Sequence, residues 1–296
     1  MISIRVQGGL GNQLFMIFAT IAYGMTHNVK TVFEYYYEVA ARHTYWETLL
    51  DGFKMFTTTN PSNELTNEDI SRFSVYMEPG FLYNPLPDFG TNNIYIIGYL
   101  QSFRYFEQCK SQLYSIMRLN DKKKAVFEKY SQYFTNCKTL ISIHFRMGDY
   151  KEKRYYHPIM NYEYFESALD YIMENRVEKN DVRVLYFCEQ QDNEYVQSKI
   201  ALMNTKYPEL EFIKVDDNIE DYDQLLIMSG CNHNIMSNST YSWWGSYFNE
   251  YESKIVCYPS KWFGEYYEHT HDHKDMMPES WVKIKSDPIP WDKPLV

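Results

Sequence analysis

The chain has 296 residues, 45% of them hydrophobic and 23% charged, the balance of a globular protein with a real core rather than a disordered or fibrous one. A net charge of −10 argues against a nucleic-acid surface, which needs a basic stripe, and against adsorption to anionic membranes. Any anion-binding site must therefore be a local feature on an acidic background.

The amino terminus opens on a strand pattern, Ile2–Val6, without the basic and apolar regions of a signal peptide. The longest apolar run, Leu14–Met25, is too short to span a bilayer and contains Gly24, so a soluble, cytoplasmic protein is expected. A glycine turn, Gln7-Gly8-Gly9-Leu10-Gly11, follows the strand. A helix then runs from Asn12 to about His27, with Leu14, Phe15, Ile17, Phe18, Ile21 and Ala22 at helical spacing. Thr31–Glu34 reads as a second strand at the distance of a βαβ unit. Residues 57–69 and 79–93 read as irregular connections, Ile94–Gly98 as a short strand, and 104–118 and 121–133 as helices.

From Leu140 the alternation is regular: strand 139–145, helix 161–174, strand 183–188, helix 192–203, strand 211–215, helix 221–230, strand 233–237, helix 240–251 and strand 254–258. Strands alternating with helices imply a parallel sheet covered on both faces. The tail from Ser286 has three prolines and is expected to run over the surface. Two α/β halves, split near 135–140, with ligand in a cleft between them, are the economical architecture. The cysteines Cys109, Cys137, Cys188, Cys231 and Cys257 are scattered and form no Cys-x-x-Cys pair, which suits core thiols in a reducing compartment. The 29 tyrosines reflect either compositional bias or a sugar-stacking surface.

Three constellations carry chemistry. Gly8-Gly9-Leu10-Gly11-Asn12-Gln13, between strand and helix, lets backbone N–H groups approach a ligand at a helix amino terminus, which favours negative charge. It fails as a dinucleotide fingerprint because Leu14 occupies the third glycine position. The alternative is a tight turn with no ligand. Second, an apolar strand ends in His144, Arg146, Gly148 and Asp149. His144 and Arg146 share a strand face, and an arginine fork suits phosphate or carboxylate. The alternative is an Arg146–Asp149 ion pair beside a core histidine. Third, Ser237-Asn238-Ser239-Thr240-Tyr241-Ser242 precedes Trp243-Trp244 between strand and helix, offering either capping or diphosphate contacts. Its Asn-Ser-Thr sequon is not expected to be used. Asp221-Tyr222-Asp223 imitates a metal-binding Asp-x-Asp motif, but its place at a helix start points to capping. His269, His271 and His273 lack a clear ligand set.

At these residues the chain resembles the α-1,2-fucosyltransferases, glycosyltransferase family 11. The blocks are Gly-Gly-Leu-Gly-Asn-Gln-Leu-Phe at 8–15, Gly-Tyr-Leu-Gln-Ser at 98–102, His-Phe-Arg-Met-Gly-Asp-Tyr at 144–150 and the run from Cys231 to Gly245, with Lys261-Trp262-Phe263 also fitting. The resemblance implies an α/β, GT-B-like fold of two Rossmann-like domains facing a central cleft: an acceptor-side domain over 1–138 and a GDP-fucose-binding domain over 139–296. It implies an inverting, metal-independent transfer of L-fucose from GDP-fucose to a galactose 2-hydroxyl of a glycan, with no cofactor beyond the donor. Gly9, Leu10, Gly11 and Asn12 would contact the nucleotide sugar, Arg146 the β-phosphate, and Ser237, Asn238, Ser239, Thr240, Tyr241 and Ser242 further parts of the donor. His144 joins the catalytic set, with Asp149 or Glu152 as general base. The family commonly has a second arginine where this chain has Met147, a side chain expected to pack in the core. The rivals are a non-catalytic nucleotide-sugar or carbohydrate binder, a transferase of different linkage or donor, and a metal-dependent transferase using Asp221 and Asp223.

Overall fold

The computed structural model describes residues 1–135, 139–177 and 181–295. The chain divides into two compact units, one of Met1–Lys122 with His271–Pro278, the other of Lys123–Thr270 with Glu279–Val296.

In the first unit, strand β1 (Ile2–Ile4) feeds helix α1 (Leu10–His27), whose apolar residues are buried nearly all round. Helix α1 ends where Asn28 adopts a left-handed conformation, φ 51°, and donates its N–H to the Gly24 carbonyl. A two-residue hairpin joins β2 (Glu38–Val39) to β3 (Arg42–His43), and a capping box built by Thr66 and Asp69 starts α2 (Asn67–Ser71). Strands β4 (Ser74–Met77) and β5 (Ile94–Ile97) complete a parallel sheet of order β1-β5-β4. The strand expected at Thr31–Glu34 is reduced to isolated bridges, Ile2 to Thr31 and Phe33 to Thr57. The expected helix 104–118 is broken into 3-10 turns before α3 (Lys110–Met117).

Helix α4 (Leu119–Lys129) leads into the second unit, where strands and helices alternate: β6 (Thr139–His144), α5 (Tyr162–Asn175), β7 (Val182–Phe187), α6 (Asn193–Lys206), β8 (Glu211–Lys214), α7 (Asp221–Ser229), β9 (His233–Ile235), α8 (Thr240–Tyr247), β10 (Val256–Pro259) and β11 (Val282–Ile284). All are parallel, in the order β11-β10-β9-β6-β7-β8. The chain builds outward from β6 in one direction and returns to build from β9 in the other. The topological switch point therefore lies between β6 and β9, where open parallel sheets bind ligands at their carboxyl ends. Ile141, Ile143, Phe145 and Met147 all point into one apolar core with Phe165, Leu169 and Val184.

The α/β class with a parallel sheet in each unit is as expected, but the division differs from 138/139, a boundary that touches residues outside the described ones. Lys123 buries its ammonium against the Phe248 carbonyl at 2.9 Å, and Lys129 and Tyr130 both donate to Asp223, which ties α4 to the second unit. In the opposite sense, Asp275 accepts from the Ser102 hydroxyl and pairs with Arg104, which places 271–278 in the first unit. Cys109, Cys188, Cys231 and Cys257 are buried free thiols, and Cys137 lies outside the described residues.

Candidate active site

In the second unit, β6 runs out at the switch point and delivers Arg146. The register pairs His144 with Phe187, so two residues further on Arg146 stands opposite Glu189. The Arg146 guanidinium forms ion pairs with Glu189 and with Asp149, and lies 4.6 Å from the Tyr150 ring centroid. The two ion pairs use one N–H on each terminal nitrogen, leaving other donors of the fork for a ligand. Its side chain is 20% exposed, so a ligand can reach it while most of the stem is packed.

The turn after β6 is enforced by Gly148. Its φ of +41° suits glycine, and a Cβ there would lie 2.3 Å from Glu189 Oε1. Its N–H donates to buried Asp192 at 2.8 Å, and Lys151 pairs with the other oxygen of that carboxylate. Glu189 and Asp192 were missed in the sequence. Their signal was the acidic end of Leu185-Tyr186-Phe187-Cys188-Glu189, legible only once β7 is known to neighbour β6.

The turn between β9 and α8 faces inward. The Ser237 hydroxyl donates to the His144 carbonyl at 2.6 Å and accepts the Arg146 N–H at 3.1 Å, joining the ends of both switch-point strands. Asn238 spends its side-chain N–H groups on the carbonyls of Pro158 and Trp262, and its side-chain oxygen Oδ1 is buried without a hydrogen bond among the described residues. The Ser239 side chain caps α8 by accepting the Tyr241 N–H, and Ser242 donates back to the Ser239 carbonyl. Capping is thus realised, and Ser237, Asn238 and Ser242 hold the turn rather than reach outward. Thr240 and Tyr241 are the partly exposed members.

His144 is 8% exposed, with Nδ1 buried and unbonded among the described residues. Burial, reinforced by the neighbouring Arg146 charge, depresses its pKa to about 3, so the ring is neutral near pH 7. His157 stacks on Tyr150 at 4.9 Å and is likewise held below its ordinary range, chiefly by burial. Asp149 has one oxygen on Arg146 and the other on Lys153 at 3.4 Å, whereas Glu152 is exposed. Met147 is 2% exposed in the apolar core.

The glycine turn belongs to the first unit. Gly8 has φ +77°, and Gly9 caps α1 without a side chain, its carbonyl accepting the N–H groups of Asn12 and Gln13. The Asn12 side chain accepts from Gln101 Nε2 at 3.0 Å, which joins two of the motif blocks. Of the decoys, Asp223 is occupied by Lys129 and Tyr130, and Asp221 stands in the first turn of α7. Among the described residues, no cluster of three or more His, Cys, Asp or Glu is arranged to hold a metal ion.

Residues 82–285, more than half of the chain, match the profile of Glycosyl transferase family 11. The chain belongs to glycosyltransferase family 11. As a family 11 enzyme it takes a nucleotide-sugar donor and a glycan acceptor. Over 309 aligned positions it is 24% identical to an alpha-1,2-colitosyltransferase of Escherichia coli, covering 95% of this chain and 98% of that protein. Over 150 positions it is 29% identical to the O-antigen biosynthesis glycosyltransferase WbnK of Escherichia coli, a match spanning 48% of this chain and 44% of the relative, under half its length. Among solved structures it is similar to fucosyltransferase NodZ from Bradyrhizobium, at 8% identity over 83% of this chain and 92% of that one, with a TM-score of 0.46. Among the described residues, no helix is long and apolar enough to cross a membrane.

Proposed function

We propose that this family 11 glycosyltransferase moves L-fucose from GDP-fucose to a galactose 2-hydroxyl, inverting the donor's β linkage to an α-1,2 product without a metal. The observation that supports this best is Arg146, a permanent cation held at the switch point by Glu189, Asp149 and Tyr150. Negative charge grows on the diphosphate as the glycosidic bond breaks, and a preoriented guanidinium stabilises that growth. The partly exposed positions Thr240 and Tyr241 supply further donor contacts, while Ser237, Asn238 and Ser242 fix the turn that carries them. The glycine turn, residues 9–12, is assigned to the nucleotide sugar as well. Glu152, exposed and without an ion pair among the described residues, is the better placed general base, because Asp149 is engaged by two cations. His144, buried and neutral, positions the end of β6 instead of shuttling a proton.

A second reading is a colitosyl donor, favoured by the nearly full-length match to the alpha-1,2-colitosyltransferase. Colitose lacks the 3-hydroxyl of fucose, so the two donors differ by a single polar group. Incubation with GDP-fucose and with GDP-colitose against a panel of galactosides, followed by mapping of the product linkage, decides between them. In the same assay Arg146→Ala should abolish transfer, and full activity in that variant would remove the phosphate role of Arg146.

A further inference from the structure

Apart from the switch-point site, the first unit contains a cleft of about 460 Å³ lined by Arg5, Glu34, Tyr36, Glu38, Trp46 and Tyr95 among others. That volume lies in the range of small-ligand sites, roughly 300–1,000 Å³. The sheet builds one wall. Ser3 pairs with Tyr95 in the parallel register of β1 and β5, so Arg5, two residues on, shares a sheet face with Tyr95. Glu34 follows the stretch bridged to β1 at Thr31, and the β2–β3 hairpin supplies Glu38, Val39, Ala40 and, just beyond it, Thr44.

Glu34 is held by two tyrosines. Glu34 accepts from the Tyr95 hydroxyl at 2.5 Å through one oxygen and from the Tyr36 hydroxyl at 3.3 Å through the other. Burial and this hydrogen bond hold the Tyr95 phenol protonated well above its ordinary range. Arg5 lines the same cleft as two glutamates, and its charge acts on the Tyr36 and Tyr95 hydroxyls. Trp46 is 1% exposed and its indole N–H has no acceptor among the described residues. Ala40 and Ala41 both take left-handed φ values, 51° and 58°, a conformation unfavourable for alanine that keeps the hairpin tight at the cleft. Gln13 donates to the carbonyls of Gly8 at 2.9 Å and His43 at 2.7 Å, tying the hairpin to the glycine turn.

We propose that this cleft binds the terminal neutral sugar of the acceptor glycan, with Glu34 and Arg5 hydrogen-bonding its hydroxyls and Tyr36 and Tyr95 walling the ring. Charge selects this ligand: two glutamates against one arginine repel phosphate and uronate, whereas a polyol uses both a carboxylate acceptor and a guanidinium donor. The inference rests on the glycosyltransferase function and assigns specificity to Arg5 and Glu34.

The test uses the full chain, with and without saturating GDP, and saturation-transfer NMR with methyl β-galactoside, methyl β-glucoside and methyl α-mannoside, with methyl β-glucuronide as the anionic comparator. At least one neutral glycoside should bind wild type, and Glu34→Gln should weaken it roughly tenfold or more, as expected for a lost hydrogen bond to a charged group. Val39→Trp, which fills the cleft from the hairpin without touching a hydrogen-bonded group, should abolish the signal and leave GDP affinity unchanged. Binding of no neutral glycoside, preference for the glucuronide, or binding that survives both variants overturns the assignment. Because the readout needs no donor sugar, loss of binding in the variants upholds the cleft even if neither GDP-fucose nor GDP-colitose supports transfer.

Discussion

Ser237→Ala removes one oxygen atom and two hydrogen bonds. The side chain is buried, and its hydroxyl both donates to the His144 carbonyl and accepts the Arg146 N–H. Alanine leaves a buried carbonyl and a backbone N–H without partners, each costing about 1–3 kcal/mol. Partial relaxation of the freed strand end brings the sum to about 2–4 kcal/mol. For a unit of this size that corresponds to a fall in Tm of roughly 5–10 °C. Urea unfolding followed by tryptophan fluorescence should show a lower midpoint with an unchanged slope. The freed Arg146 backbone also drifts from its place between β6 and β9, so turnover at saturating donor should fall about tenfold or more. Ser246→Ala is the control: its hydroxyl donates only to the Ser242 carbonyl four residues back in α8, so its loss should cost no more than about 1 kcal/mol and leave turnover intact. A Ser237→Ala protein within about 0.5 kcal/mol of wild type, or with turnover within a factor of two, would refute the idea that this hydroxyl welds the switch point.

Three further outcomes are expected. Gly148→Ala adds a Cβ against Glu189 at a left-handed φ, costing about 1–2 kcal/mol of backbone strain and pushing Glu189 off Arg146; Tm and GDP affinity by calorimetry should both fall, and unchanged values of both count against it. Met147→Arg, which installs the arginine common in the family, buries a cation among Ile141, Ile143 and Phe165 and should cost about 3 kcal/mol or more without raising turnover; a variant as stable as wild type by urea midpoint would show that the position opens to solvent. The third concerns pH. His144 has a folded pKa of about 3, below the 6.5 of the unfolded chain, so the unfolded state binds the extra proton between those values. Its contribution is complete above pH 6.5 and is lost as pH falls toward 3; His144→Gln should flatten the stability–pH slope there by about one proton, and an identical slope in the variant rules the effect out.

The second unit was largely legible because its strands and helices are long and periodic, and because β6 advertises itself as an apolar run ending in charge. The role of Met147 was legible too, since Ile141, Ile143, Phe145 and Met147 keep the alternation of two that places them on one core face. The partner of Arg146 was not. Glu189 is 43 residues away, and only the β6–β7 register brings the two together. The inward turn of Ser237 and Asn238 was equally hidden, because a hydroxyl or amide at a helix start reads the same whether it faces a ligand or a carbonyl. In the first unit, short pairings such as Ser74–Met77 and the Glu38–His43 hairpin carry too few residues to show a period. The division of the chain depended on Lys123, Lys129 and Asp275, whose contacts are long-range.

Residues 271–278 bear on the order in which the protein comes off the ribosome. They complete the first unit through Asp275, which accepts from Ser102 and pairs with Arg104, yet they follow Lys123–Thr270 of the second unit in the chain. Vectorial folding, in which the leading domain finishes before the next emerges, is therefore closed to this chain. The nascent amino-terminal half must wait, with the groups meant for Asp275 unmet, until the whole second sheet except β11 has been made. Cutting the gene at a single point between the units yields one piece that lacks its own closing segment and another that carries a foreign one.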